Sequence, residues 1–442
     1  MNWLVGMVAV AGASGCGTPE GERPLALVGV TVIDGSGHTI RNAVVVVSGA
    51  TIVDVGPEGG VEIPKDAEEI DLAGRWIIPG LIDAHVRAQA WALPRFLAYG
   101  VTTVRDVGSA TDSIMDLAKQ SDLNAILGPR IYATGSPVGG VPDEDVTSAS
   151  NARRAVDQRS IGGVAYILAG SRISATLLRA IVDEAGSFEL PIIAQLGLTD
   201  AVTAAQAGVH SIEQLSGVPQ AAAGSASQVY AAYRRGSDQG SAQAGRTWSR
   251  LRAASLDRVA LALATAGTVL TPTLIWHEVT ANLDDQSMLE QPEPGAMPQG
   301  STYPLGTTVM REHNLSVADL RAFRQGRPVQ DRFVMAFRSH GGSVAVGTGA
   351  AAPFLIPGAS LHRELQLLVR AGFTPMEALT AATSGNAALL GADSLGTLAP
   401  GMVADLVVLT ADPLQDIRNT RAIENVMIRG QLLLVETVKL QW

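Results

Sequence analysis

Eight short apolar runs through the middle of the chain set the tightest limit on its fold. They read IIPGLIDAHV, VTTVRDV, RIYATGS, GVAYILA, PIIAQL, HSIEQL, TVLTPTL and SVAVGTG, the last ending at Gly349. Each has the length of a strand, and several of the intervening segments have helical periodicity. In ISATLLRAIVDEAG, for example, Ile173, Leu177, Ile181 and Val182 share one face. Towards the C-terminus, FTPMEALTAATSGNAALLG opens with Thr374 as N-cap, Pro375 in the first turn and Glu377 three residues after the cap. That is a capping box. Eight strands alternating with helices predict an α/β chain folded as a (β/α)8, or TIM, barrel. The chemistry of such a barrel sits at the C-terminal ends of its strands. Two connections are long, 216–266 and 276–340, and both read as insertions. The second, with several Pro and Gly, is placed to form a lid over the barrel mouth.

The two chain ends have a different rhythm. LALVGVTVID, AVVVVSGATIVDVG and AEEIDLAG come first; ADLVVLTADP and IENVMIRGQLLLVETV come last. Turn residues separate these strand-like runs, which predicts one small β-sandwich built from 25–78 and 393–442, with the barrel spanning 79–392. A length of 442 residues and a 47% hydrophobic composition supply core enough for both parts. A formal charge of −10, with no Lys/Arg-rich block, excludes a nucleic-acid surface. The one cysteine, Cys16, rules out an intramolecular disulfide and any cysteine-based zinc or iron–sulfur site. Cys16 closes MNWLVGMVAVAGASGC, an apolar run too short to span a bilayer and ending in small residues. Residues 1–16 therefore read as a signal peptide with a bacterial lipobox. The expectation is export to the periplasm or cell envelope, with lipid on Cys16 as the sole membrane contact.

PGLIDAHV, GVTTVRDVGS, GPRIYATGSPV, AGVHSIEQ, SLHRELQLLVRAGFTPMEALTAATSGNAALLG and LGTLAPGMVADLVVLTADPL occur in this order. Together they resemble the amidohydrolase superfamily, with imidazolonepropionase-like and prolidase-like members the nearest in appearance. The resemblance covers roughly residues 25–437. It implies a barrel plus a small β domain, and hydrolysis of C–N bonds with one or two divalent metals held by strands 1, 4, 5, 6 and 8.

At the positions this resemblance assigns to metal ligands, the residues do not match. Strand 1 should carry His-x-His and reads His85-Val86-Arg87; strand 4, often a carbamylated lysine, offers Ile167. No slip of alignment restores that lysine, because none occurs between Lys119 and Lys439. Strand 5 has Gln195 and strand 6 has Gln214, both in place of histidine; strand 8 has Gly349 in place of aspartate. One donor of six survives, His85. Glutamine is a weak neutral donor, glycine is none, and guanidinium has no lone pair to give. Arg87 would also repel a cation, by roughly 4 kcal/mol per unit charge at 4 Å near a protein surface. Arg87 is expected to fill the vacated space and pair with Glu213 or Asp83, as a scaffold in place of the metal or, unpaired, as an anion receptor.

Three functions follow as expectations. The first is a metal-free pseudoenzyme needing no cofactor, an exported binding protein or the non-catalytic partner of an active paralogue. It would take a small-molecule or peptide ligand through a pocket of His85, Arg87, Gln195, Gln214, Glu213 and Gly349, and assemble into homo- or hetero-oligomers of related barrels. The second is a hydrolase of amide, peptide or cyclic amide bonds with one zinc ion rebuilt on His85, His277 and Glu278, the latter two directly after strand 7. The third is a metal-independent enzyme with Arg87 as electrophilic clamp and His85 as acid or base. His38, His210, His340 and His362 are placed away from the mouth by their positions before strands, on a helix or in the β domain. No G-x-S-x-G elbow or P-loop occurs.

Overall fold

The structure is a computed structural model that describes residues 23–139, 146–224, 227–285, 287, 298 and 304–441. Cys16 and the segment read as an export signal lie outside the described residues.

Runs of β-branched residues make the first strands. β1 (Leu25–Ile33), β2 (Thr39–Ser48) and β3 (Thr51–Pro57) form an antiparallel meander. β4 (Glu68–Asp71) and β5 (Trp76–Pro79) both pair parallel with β1, one on its first half and one on its second. Seven barrel strands follow: β6 (Leu81–Val86), β7 (Val101–Asp106), β8 (Arg130–Ala133), β9 (Ile167–Ala169), β10 (Ile192–Ala194), β11 (Ser211–Glu213) and β12 (Val269–Thr271). The chain then returns to the first sheet as β13 (Leu406–Leu409), β14 (Ile423–Ile428) and β15 (Gln431–Leu434).

Both chain ends meet where β13 pairs antiparallel with β5, giving the order β15-β14-β13-β5-β1-β2-β3 with β4 beside β1. A bridge from Thr51 to Val403 joins β3 to the residues before β13. The expected sandwich is thus a single sheet curled around Leu27, Val45, Ile77, Leu406 and Met427. The first apolar run, IIPGLIDAHV, is divided between two sheets: Trp76–Pro79 belongs to the curled one and Leu81–Val86 to the barrel. Gly80 stands at the division because a Cβ there would collide with the Thr102 side chain.

The barrel strands pair parallel as β6-β7-β8 and as β9-β10-β11-β12. Three parallel bridges join these arcs: Val138 to Ala169, Leu270 to Val344, and Val86 to Ala350. Residues 344–350 act as the eighth strand, so all eight runs contribute and the ring closes. Ile167, Ala169, Ile192, Ala194, Ile212 and Leu270 pack outward under the helices, whereas Tyr166, Leu168 and Ile193 pack inward with Ile82 and Val107. The inward position on strand 4 is therefore Leu168, and Ile167 faces the helix layer. A register shift between Asp83 and Val86 interrupts the alternation on β6, so that Val86 packs outward although Ile82 packs inward.

The capping box forms as expected: Glu377 N–H donates to Thr374 Oγ1 at 3.3 Å and Thr374 N–H to Glu377 Oε2 at 2.8 Å. The helix Ala175–Gly186 buries Leu178, Ala180, Ile181 and Ala185, a face rotated from the expected one, with Leu177 and Val182 only partly covered. The two long connections supply helices that meet over the ends of strands 6 to 8. Ser237–Trp248 from the first and Leu274–Ala281 at the start of the second both pack on Val317–Ser339. Among the described residues no helix is long and apolar enough to cross a membrane.

Candidate functional site

β6 and β7 place a histidine and an arginine inside the barrel. His85 lies within the register shift, and its Nδ1 is 2.6 Å from Glu213 Oε2. A carboxylate accepts, so Nδ1 carries the hydrogen. Arg105 shares the alternation of Thr103 and Val107 and is fully buried. Its Nη2 donates to Glu213 Oε1 at 2.7 Å and its Nε to the Ala84 carbonyl at 2.6 Å, while its guanidinium lies 5.7 Å from the Tyr166 ring centre. Ser211 Oγ donates to the same Glu213 oxygen at 2.8 Å. Burial pushes the Glu213 carboxyl up, but the Arg105 charge and the His85 hydrogen bond and charge outweigh it and hold the group below the usual carboxylate range.

Arg87 pairs with neither expected carboxylate. Its side chain is exposed, beside Gly108 and close enough to Asp106 for its charge to favour that carboxylate. Glu213 is taken by Arg105 and His85. Asp83 accepts from Thr348 Oγ1 at 2.6 Å, Thr348 N–H at 3.0 Å and His85 N–H at 3.2 Å. Burial nevertheless pushes Asp83 up to about 7. The cation that fills the barrel interior is Arg105, from VTTVRDV. A lone charge in phase with the inward residues of an apolar strand was the available signal for it.

The other positions that the resemblance assigns to ligands hold no charge. Gln195 Nε2 faces Gln214 Oε1 at 3.5 Å. Gly349 adopts a φ of +83°, and a Cβ there would lie 3.2 Å from Leu355 and 3.5 Å from Trp276. The alternative zinc site is not assembled either. Consecutive residues on the helix Leu274–Ala281 diverge, so His277 and Glu278 face different partners. His277 Nε2 donates to the Gln214 carbonyl at 3.0 Å, and Gln330 Nε2 donates to His277 Nδ1 at 3.3 Å. Burial, with the charge of Arg327, lowers His277 to about 3. Glu278 takes a bidentate pair of 2.8 Å bonds from Arg363 and a third bond from Arg370 at 3.1 Å. Among the described residues no group of three or more His, Cys, Asp or Glu side chains is disposed to hold a metal. The set expected from the resemblance does not fit one: a single imidazole, a guanidinium, two amides, a glycine and an aliphatic side chain, whether Ile167 or the inward Leu168, cannot offset a dication.

Beside this cluster lies a cavity of about 370 Å³, between the ends of strands 6 to 8 and the two insertions. Trp248, Trp276, Phe323 and Phe354 give it aromatic walls, and Gln214, His277, Arg327 and Gln330 a polar one. Described residues of both the 276–340 and the 216–266 insertions line this cavity. Of the pocket expected from sequence, only Gln214 lines this cavity; His85, Arg87, Gln195, Glu213 and Gly349 do not.

Three further histidines bond to the scaffold. His362, fully buried, bridges Thr420 Oγ1 and the Tyr99 carbonyl; His210 reaches the Leu389 carbonyl, and His340 meets Asp257 near the surface.

Similarities to other proteins agree with this architecture. Imidazolonepropionase from Caulobacter vibrioides is 29% identical over 188 residues, 37% of this chain and 46% of that protein. Imidazolonepropionase from Pseudomonas savastanoi pv. phaseolicola is 50% identical over 46 residues, 10% and 12% of the two chains. The chain thus matches less than half the length of these curated relatives. A putative prolidase from Bifidobacterium longum superposes with a TM-score of 0.69 at 25% identity, covering 94% of this chain and 98% of that one. A bottromycin amidohydrolase shares the fold with a TM-score of 0.72 at 21% identity, covering 96% and 90%. The sequence profile of the amidohydrolase family matches residues 76–433, and the chain belongs to that family.

Proposed function

We propose that this protein is a metal-free, non-hydrolytic amidohydrolase relative that binds a small molecule. One observation carries the reading: the surviving ligand, His85, is bound through Nδ1 to a carboxylate that Arg105 neutralises. The partner positions hold Arg87, Leu168, Gln195, Gln214 and Gly349. With one imidazole nitrogen left to bind and no base on strand 8, water activation by a metal has neither its cation nor its proton acceptor. The cavity beneath the insertions supports ligand binding as what remains.

The test is metal content by plasma mass spectrometry on protein expressed with added zinc and purified without chelators, alongside assays on Xaa-Pro dipeptides and cyclic amides. Less than about a tenth of an equivalent, with no turnover, is expected. One tightly held equivalent that is lost in His85→Ala would instead favour the second reading, a hydrolase of C–N bonds, for which the imidazolonepropionase and prolidase likenesses speak.

Export with lipid on Cys16, and assembly with copies of itself or of related barrels, belong to the same proposal. Labelling with radioactive palmitate that disappears in Cys16→Ser, and a multimeric mass by light scattering, are the expected results.

A further inference from the structure

The polar wall of the cavity has a hydrogen-bond direction that can be followed atom by atom. Arg327 Nη2 donates to Asp331 Oδ1 at 2.9 Å and Nη1 to Gln330 Oε1 at 2.7 Å. Gln330 Nε2 donates to His277 Nδ1, and His277 Nε2 donates to the Gln214 carbonyl. The carbonyl at the end of this chain fixes the sense of the bonds before it, because it can only accept. Acceptors along the wall are therefore occupied and the surplus is in donors. Arg327 is 7% exposed, lines the cavity, and its Nε is buried with no partner among the described residues. Gln330, 4% exposed, has a second amide hydrogen beyond the one given to His277. Gln214 Oε1 faces Gln195, which leaves the Gln214 amide hydrogens for another acceptor.

The wall carries no net charge to match those donors. Asp331 neutralises Arg327. His277 is neutral, since burial and Arg327 lower it to about 3. Glu364, near Arg327, is pushed by burial up to about 8, and its two oxygens accept from the Leu274 and Ile275 N–H groups, so it is not directed at a ligand. Across the cavity Asp238 and His313 face each other at 3.4 Å. Unpaired donors without surplus positive charge suit an uncharged oxygen acceptor better than an anion, whose desolvation nothing here offsets. The remaining walls are apolar, and Trp276 is fixed edge-on to His277 with ring centres 5.1 Å apart. A volume of about 370 Å³ suits a ligand of one or two fused rings.

We infer that the cavity between the strand 6–8 ends and the two insertions binds a small, largely aromatic molecule through one uncharged carbonyl oxygen, held by the free amide hydrogens of Gln330 and Gln214, with Arg327 orienting Gln330 from behind. The inference deepens the ligand-binding reading above and rests on it.

Three probes of one shape test it by quenching of tryptophan fluorescence: 2-acetylnaphthalene, 2-naphthoate and 2-ethylnaphthalene. The ketone should bind about ten-fold tighter than the hydrocarbon, the worth of one net hydrogen bond, and at least as tightly as the carboxylate. Gln330→Leu should reduce the preference for the ketone to within about two-fold while hydrocarbon binding persists. Gln330→Glu, of the same size, should do so without emptying space in the wall. Equal affinity for ketone and hydrocarbon would overturn the inference and leave ligand binding standing. Tightest binding of the carboxylate would overturn it in favour of an anion site. Binding of none of the three would remove both.

Discussion

The barrel mouth handles buried polarity in two ways. In the barrel interior, between strands 1, 2, 6 and 8, Arg105, His85 and Ser211 close on Glu213, and Thr348 and the His85 N–H close on Asp83. Above the ends of strands 6 to 8, Arg327, Gln330 and His277 are linked in a line that borders a cavity. The first arrangement is closed on itself; the second borders a cavity. On the proposed reading the first is a scaffold where a metal would sit and the second holds the guest.

The largest expected effect tests the first side. Arg105→Met would leave Glu213 buried without the guanidinium that neutralises it, at a cost of about 3–5 kcal/mol in denaturant unfolding. The double variant Arg105→Met, Glu213→Gln should recover most of that loss, because the unpaired charge is then gone. Arg327→Met on the cavity side should cost only about 1–3 kcal/mol, since its partner Asp331 is 18% exposed and can turn to water. Equal losses in the two single variants would mean that both sides are scaffolds.

Proton linkage separates the sides next, with opposite signs. Asp83 rises to about 7 in the folded protein, so its contribution is fully present below the unfolded carboxyl value and is lost as pH climbs towards 7. His277 falls to about 3, so the unfolded chain binds the proton first, and its contribution is lost as pH drops below about 6.5. Asp83→Asn should therefore flatten the descending part of the stability curve between about pH 4 and 7, and His277→Asn the rising part between about pH 3 and 6.5. Each slope is at most about 1.4 kcal/mol per pH unit. Urea midpoints over that range are the measurement. A change of the same sign in both variants would break the comparison.

These differences were only partly legible in the sequence. The eight strands could be read because turn residues and helical periodicity bound each apolar run, and the two insertions because they exceed ordinary connections. Which carboxylate Arg87 would meet could not be read. The expected pairing with Glu213 or Asp83 put Arg87 inside the barrel, but β6 ends at Val86 and Arg87 lies just past it. Arg87 then emerges at the surface. On β9, three apolar residues in a row give no phase, so Ile167 was as good a choice as Leu168. Arg105 was readable in principle, in phase with Thr103 and Val107, but family likeness drew attention to the strand ends and away from the barrel interior. The cavity was out of reach. Gln214, Trp276, Gln330 and Phe354 come from four separate segments, and their meeting depends on how two insertions pack.

The smallest predicted effect concerns the point where the two sides touch. Gly349 stands where a catalytic aspartate would, on the strand that also donates Thr348 to Asp83. Its φ of +83° costs a side-chain-bearing residue about 1–2 kcal/mol, and a Cβ would press on Leu355, a wall of the cavity. Gly349→Ala should therefore lower stability by about that amount and weaken binding of the naphthalene ketone slightly, by roughly two- to three-fold. The stronger substitution, Gly349→Asp with Arg87→His, Gln195→His and Gln214→His, should still fail to retain zinc, because the backbone that would present the carboxylate is turned and Trp276 and Leu355 stand beside it. Metal content of the fourfold variant decides the matter. Zinc held at one equivalent would mean that only ligands are missing and the mouth is otherwise unchanged. Continued absence, with ketone affinity reduced, would mean that the wall of the guest cavity has grown into the place the metal site once needed.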